Sequence, residues 1–132
     1  MKSALALIGS IALAAATPAL AAPKTAAGEA PKCFMTQDLR GHTIGDERTL
    51  YLNVGGRSVW RAEMSNNCFG GAGPTDPITL EQRGASSRIC GAQDLNVGAT
   101  LNGGGLSSRC IVERLVRLTP TEAAALPRGM KP

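Results

Sequence analysis

Aromatic residues are nearly missing from this chain: its 132 residues hold one tryptophan, one tyrosine and two phenylalanines. A single-strand nucleic-acid surface interleaves aromatics with a basic stripe so that bases can stack, and this chain cannot build one. Nor is positive charge concentrated. Lysine and arginine are scattered, and the net charge is only +4, which fits a mildly basic solvated surface. Histidine occurs once, at His42. No C-x-x-C, H-E-x-x-H or G-x-S-x-G occurs, which removes the usual thiol-exchange, zinc-hydrolase and nucleophile-elbow signatures. The stretch Gly70–Pro74 (GGAGP) lacks the strand–helix context of a phosphate-cradling loop. No metal, cofactor or nucleic-acid partner is expected.

What is present begins with a leader. Met1-Lys2 gives a positive start, Ala4 to Ala16 is an apolar run, and Ala19-Leu20-Ala21 supplies a small-residue cleavage site. Residues 1–21 read as a secretory signal, with cleavage after Ala21. The run is short of the roughly 20 apolar residues that a spanning helix needs. No later stretch is long or apolar enough to span either, so no membrane span is expected in the mature form. The expected location is periplasmic or extracellular. Residues 22–31 (APKTAAGEAP) read as a flexible lead-in, residues 32–127 as a single β domain, and residues 128–132 as a tail.

Cys33, Cys68, Cys90 and Cys110 form an even set in a chain read as exported, which points to two disulfides. Zinc would want ligands paired closely in sequence, or more histidine. Three pairings are open. The one expected is Cys33–Cys110 with Cys68–Cys90, because the first would fasten the ends of the domain and the second a central loop. Two of these cysteines close similar tetrads, Ser86–Cys90 (SSRIC) and Ser107–Cys110 (SSRC). Different residues follow them, so they read as two strand entrances rather than as repeats.

The strongest local pattern is a hairpin. Leu50, Leu52 and Val54 alternate before Gly55-Gly56-Arg57, and Trp60, Ala62 and Met64 alternate after it. A three-residue loop pairs Leu52 with Trp60 and Leu50 with Ala62 on the buried side, and it sets Tyr51 by Arg61 and Thr49 by Glu63 on the wet side. A two-residue loop would bury Arg61, so three is expected. Leu39 to Ile44 reads as a strand, with residues 45–48 as a turn. Further strands are expected at Ile78–Leu80 and around Leu95 and Val97. Cys110–Leu118 fits a helical stripe as well as a bulged strand; its β-branched start favours the strand. Thr119-Pro120-Thr121-Glu122 carries a capping box with proline at the first helical position. The expected fold is all-β: a small disulfide-stapled barrel or compact sandwich of five to six short strands with a short C-terminal helix.

Several stretches together resemble a bacterial family of small exported proteins, designated domain of unknown function 6491. They are Cys33-Phe34, Ile44–Leu52 (IGDERTLYL), Cys68, Ile78–Asp94 (ITLEQRGASSRICGAQD) and Arg109–Thr119 (RCIVERLVRLT). The resemblance covers Cys33 to Thr119. That family usually shows Cys-x-Gly-Asp after its third cysteine, and Cys90-Gly91-Ala92-Gln93-Asp94 departs from it. The resemblance implies an exported β domain and carries no catalytic residues.

Catalytic candidates are sparse. His42 with Asp38 four residues earlier would share a strand face but lacks a defined nucleophile. Asp46-Glu47 reads as a solvated turn, and Trp60 reads as core. No catalytic residue is assigned. The leading expectation is a non-enzymatic envelope module that meets a protein or cell-wall partner through the loops Ser65–Pro77 and Thr100–Ser108. The alternative is a small-ligand binder or inhibitor-like protein that meets an acidic partner through Arg40, Arg57 and Arg61. An enzyme of unrecognised type comes third.

Overall fold

The computed structural model describes residues 33–100 and 108–132. The expected leader 1–21, the lead-in 22–31 and nearly all of the loop 100–108 lie outside the described residues. In chain order the elements are β1 (Phe34–Met35), a 3-10 turn (Thr36–Asp38), β2 (Leu39–Asp46), β3 (Thr49–Val54) and β4 (Ser58–Met64). There follow β5 (Ile78–Gln82), β6 (Arg88–Ile89), a 3-10 turn (Ala92–Asp94), β7 (Leu95–Ala99), β8 (Ser108–Arg117), α1 (Pro120–Ala125) and a last 3-10 turn (Arg128–Met130). Six strands form one curled antiparallel sheet in the order β2-β3-β4-β8-β7-β5, and β1 pairs with β6 as a separate ribbon. The fold is thus an all-β half-barrel with a short helix. Its six sheet strands are those expected from the sequence, while β1 and β6, at two residues each, are too short to leave a periodic signal.

The β3–β4 hairpin has the expected register, with Leu52 opposite Trp60, Leu50 opposite Ala62, Tyr51 opposite Arg61 and Thr49 opposite Glu63. Gly55 and Gly56 both sit in the left-handed region, at φ 63° and 71°, where a side chain would be strained. The Asn53 side chain accepts from the Gly56 N–H at 3.0 Å and tightens the loop. The turn before the hairpin is shorter than expected. Strand β2 runs through Gly45 and Asp46 by means of a bulge, and the turn is only Glu47-Arg48, held by the Arg48 N–H donating to Asp46 Oδ1 at 2.8 Å.

β8 is a strand, and a bulge explains its mixed pattern. Val112 stands opposite Met64, but the next rung pairs Glu63 with Arg114, so Glu113 is extra. Inward residues are Cys110 and Val112 before the bulge and Leu115 after it. One inserted residue changes the parity and imitates helical spacing.

The curl nearly closes. Pro74 O accepts from the Ile44 N–H at 2.8 Å, the His42 ring meets Asp76 O at 2.9 Å, and Thr36 Oγ1 meets Gln82 Oε1 at 3.4 Å. Residues 74–82 therefore run antiparallel beside 44–36, although β2 and β5 share no ladder. Leu50, Leu52, Ala62, Met64, Leu95, Val97 and Cys110 fill the concave side and are essentially fully buried. Each large aliphatic side chain there contributes about 1.5–3 kcal/mol of burial.

The disulfides are Cys33–Cys90 and Cys68–Cys110, with Cα separations of 4.2 and 5.4 Å. This corrects the expected pairing of Cys33–Cys110 and Cys68–Cys90. Phe34 faces Ile89 and Met35 faces Arg88 in the β1–β6 ribbon, so Cys33 and Cys90 occupy the next rung. Cys110 points inward from β8. Ser65 N–H donates to Ile111 O at 2.9 Å, which starts the loop after β4 beside β8 and brings Cys68 over Cys110.

The expected tail at 128–132 is docked rather than free. α1 starts at the anticipated box, in which Thr119 Oγ1 accepts from Glu122 N–H at 3.2 Å and Glu122 Oε2 accepts from Thr119 N–H at 2.7 Å. Beyond it the chain crosses the convex face. Thr43 Oγ1 donates to Lys131 O and Asn53 Nδ2 to Pro132 O, each at 3.2 Å. Thr43 and Tyr51, opposite each other on that face, are consequently 5% and 9% exposed. Tyr51 was expected on the wet side; the docked segment and Gly45, on which its ring lies, keep it dry.

Candidate functional site

Of the two loops expected to bind, Ser65–Pro77 is anchored to the core at Cys68 and Phe69. Cys68 and Phe69 are 3% and 1% exposed, Phe69 N–H donates to Glu47 O at 2.9 Å, and Pro74 and Asp76 strap the edge of β2. Asp76 Oδ2 in turn accepts from Gly73 N–H at 2.9 Å and shapes the strap. The loop plugs one end of the half-barrel. Thr100 is exposed at the end of β7, and the rest of its loop lies outside the described residues.

His42 lies in a strand, as the sequence indicated. It stands in β2 opposite Leu52, half-buried, with Nε2 at 2.9 Å from the Asp76 carbonyl. A carbonyl only accepts, so Nε2 carries the proton and donates it, and the ring latches β2 to the strap. Asp38 lies in the 3-10 turn before β2, where its backbone carbonyl accepts from Gly55 N–H at 2.7 Å. Structure therefore does not bring His42 and Asp38 together as a working pair. The Asp46 carboxylate caps the β2–β3 turn, whereas Glu47 is exposed and accepts from the plug loop through its main-chain carbonyl, as expected of a solvated turn. Among the described residues no group of three or more His, Cys, Asp or Glu side chains could hold a metal ion, and no helix is long and apolar enough to cross a membrane.

The three arginines expected to meet an acidic partner do not form one patch. Arg61 is on the convex face with Nε 2.9 Å from Glu63 Oε1, and Arg114 reaches the other oxygen of that carboxylate at 3.6 Å. Arg40 bulges from β2 and Arg57 lies in the β3–β4 loop, both exposed.

A different cluster has the features of a site. At the hairpin end of the half-barrel, an open groove of about 300 Å³ runs over Phe34, Val54 and Trp60, with Cys33, Asp38, Ser58 and Arg117 along its sides. A second lobe of about 340 Å³ shares Cys33, Phe34 and Asp38 and extends to Met35 and Arg88. The Phe34 and Trp60 rings meet at 4.9 Å with a 58° tilt and give the groove an aromatic floor. Trp60, only 5% exposed, is core, as the hairpin pattern indicated. The polar groups are placed by backbone pairing: Arg117 stands opposite Trp60, and Arg88 opposite Met35. Among the described residues neither guanidinium has a hydrogen-bond or ion-pair partner, unlike those of Arg48, Arg61 and Arg114. Sequence reading missed this site, because β1 gives no periodic signal and Arg88 and Arg117 are far apart along the chain. Compared with protein families, with curated proteins and with solved structures, the chain finds no match.

Proposed function

We propose that this chain is an exported, non-enzymatic binding module that captures an acidic segment of an envelope protein in the groove over Phe34 and Trp60. The observation that supports it is the pairing of an apolar floor with two partnerless guanidiniums, Arg88 and Arg117, one in each lobe. Arginine forks receive carboxylates in a bidentate way, and the floor takes an adjoining aliphatic or aromatic side chain. Two disulfides fit an oxidising compartment, which agrees with the leader read from the sequence.

The test is capture from an envelope extract by the mature, oxidised protein, alongside an Arg88→Glu/Arg117→Glu variant with the same thermal stability. Capture should be lost in the variant and should weaken steeply as salt is raised, because exposed charge pairs are screened. Equal capture by both proteins, or salt-insensitive capture, would remove the groove from the proposal.

A further inference from the structure

The two disulfides stand in different surroundings. Cys68 and Cys110 are 3% and 1% exposed, in the core beside Phe69. Cys33 and Cys90 are only half-buried, and Cys33 lines both lobes of the groove. We infer that Cys33–Cys90 is a thiol-exchange site through which a dithiol reductant opens the groove, while Cys68–Cys110 keeps the half-barrel together. A thiolate of the reductant attacks Sγ of Cys33, the Cys33–Cys90 bond breaks, and Cys90 leaves as a thiolate that takes a proton from solvent. The second thiol of the reductant then attacks the mixed disulfide, releases Cys33 and closes the reductant's own disulfide. Two electrons pass from the dithiol to the protein.

The consequence follows from what anchors each side. The N–H groups of Cys90 and Gly91 both donate to Asp94 Oδ2, at 2.8 and 3.0 Å, which fixes Cys90 at the turn before β7. Among the described residues, β1 is a two-residue strand with two rungs to β6, and the Thr36 N–H donates to Ser87 O at 3.0 Å. Once the bridge is cut, the motion falls on the short strand β1, Phe34–Met35. Phe34 then lifts off Trp60, and the floor of the groove goes with it. Any consequence for ligand capture rests on the binding reading above; the exchange and the opening do not.

The experiment titrates the mature, oxidised protein with dithiothreitol, alkylates the thiols, maps them by mass spectrometry, and records Trp60 emission on the same samples. Cys33 and Cys90 should label together at roughly ten-fold lower reductant than Cys68 and Cys110. Trp60 emission should shift to the red while the far-ultraviolet β signal is kept. A Cys33→Ser/Cys90→Ser variant should show the shifted emission without reductant. Simultaneous reduction of both bridges, earlier labelling of Cys68 and Cys110, or unchanged Trp60 emission after Cys33 and Cys90 are alkylated would overturn the inference. If neither the oxidised nor the reduced protein captures an acidic glutamate peptide used as probe, the binding reading fails, and labelling order with emission still decides the exchange site.

Discussion

Phe69 offers the sharpest test of whether the loop after β4 plugs the barrel or hangs free to bind. It is 1% exposed and among the largest fully buried side chains of the protein. Phe69→Ala removes a ring that buries at least 150 Å² or so of apolar area, worth about 4 kcal/mol at 25 cal/mol per Å². Core Phe→Ala changes cost about 3–5 kcal/mol in general, because the cavity does not fully collapse. A domain of this size has a total stability of about 5–15 kcal/mol. The variant should therefore keep its fold at room temperature, with the loop still tied by Cys68–Cys110, and melt on the order of 15–30 °C lower. The assay is thermal and urea denaturation of oxidised protein followed by near-ultraviolet circular dichroism. A loss below about 1 kcal/mol would show that Phe69 is not a plug and would return the loop to the surface.

Gly45→Ala should destabilise by about 1–3 kcal/mol in urea titration, since its Cβ would stand 2.6 Å from the Tyr51 ring, whereas Gly41→Ala meets open space and should be neutral or slightly stabilising. Peptide mapping without reduction should recover Cys33–Cys90 and Cys68–Cys110 fragments, and a Cys33–Cys110 fragment would refute the β1–β6 rung. Removing Cys68–Cys110 by paired serine substitution should cost about 4 kcal/mol in the same denaturation assay, from the loop it closes. Hydrogen bonds from the Thr119 N–H, and then its hydroxyl, hold the Glu122 carboxyl below its ordinary value of 4.5. A depressed carboxylate stabilises the fold fully above that value and loses the contribution as pH falls through the lowered one. The melting-temperature gap between the native chain and Glu122→Gln should therefore narrow on acidification, and a gap that stays constant to about pH 2 would refute the capping role.

Where local chemistry decides, the fold was legible in the residues. The β3–β4 register followed from alternation on both arms and from two glycines able to take positive φ, because a two-residue loop would bury Arg61. The α1 start followed from a threonine, a proline and a glutamate at fixed offsets, each meeting a neighbour within one turn. β8 was harder to read, since one bulged residue, Glu113, switches the inward parity halfway along.

Tertiary structure alone decided the rest. Cysteine spacing could not choose the disulfides, because loop entropy changes only with the logarithm of loop length and the competing pairings differ little by that measure. The choice came from the rung beyond Phe34–Ile89 and from the inward face of Cys110. Tyr51 lost its wet side to a C-terminal segment whose docking depends on a face assembled from β2 and β3. The groove exists because strands distant in sequence bring Arg88 and Arg117 to one end of the half-barrel, over two rings that meet only in the curled fold. Hairpin and helix cap are properties of neighbouring residues, so the chain determines them by itself. The bridges, the covered face and the groove are properties of residues that meet only after the sheet has curled.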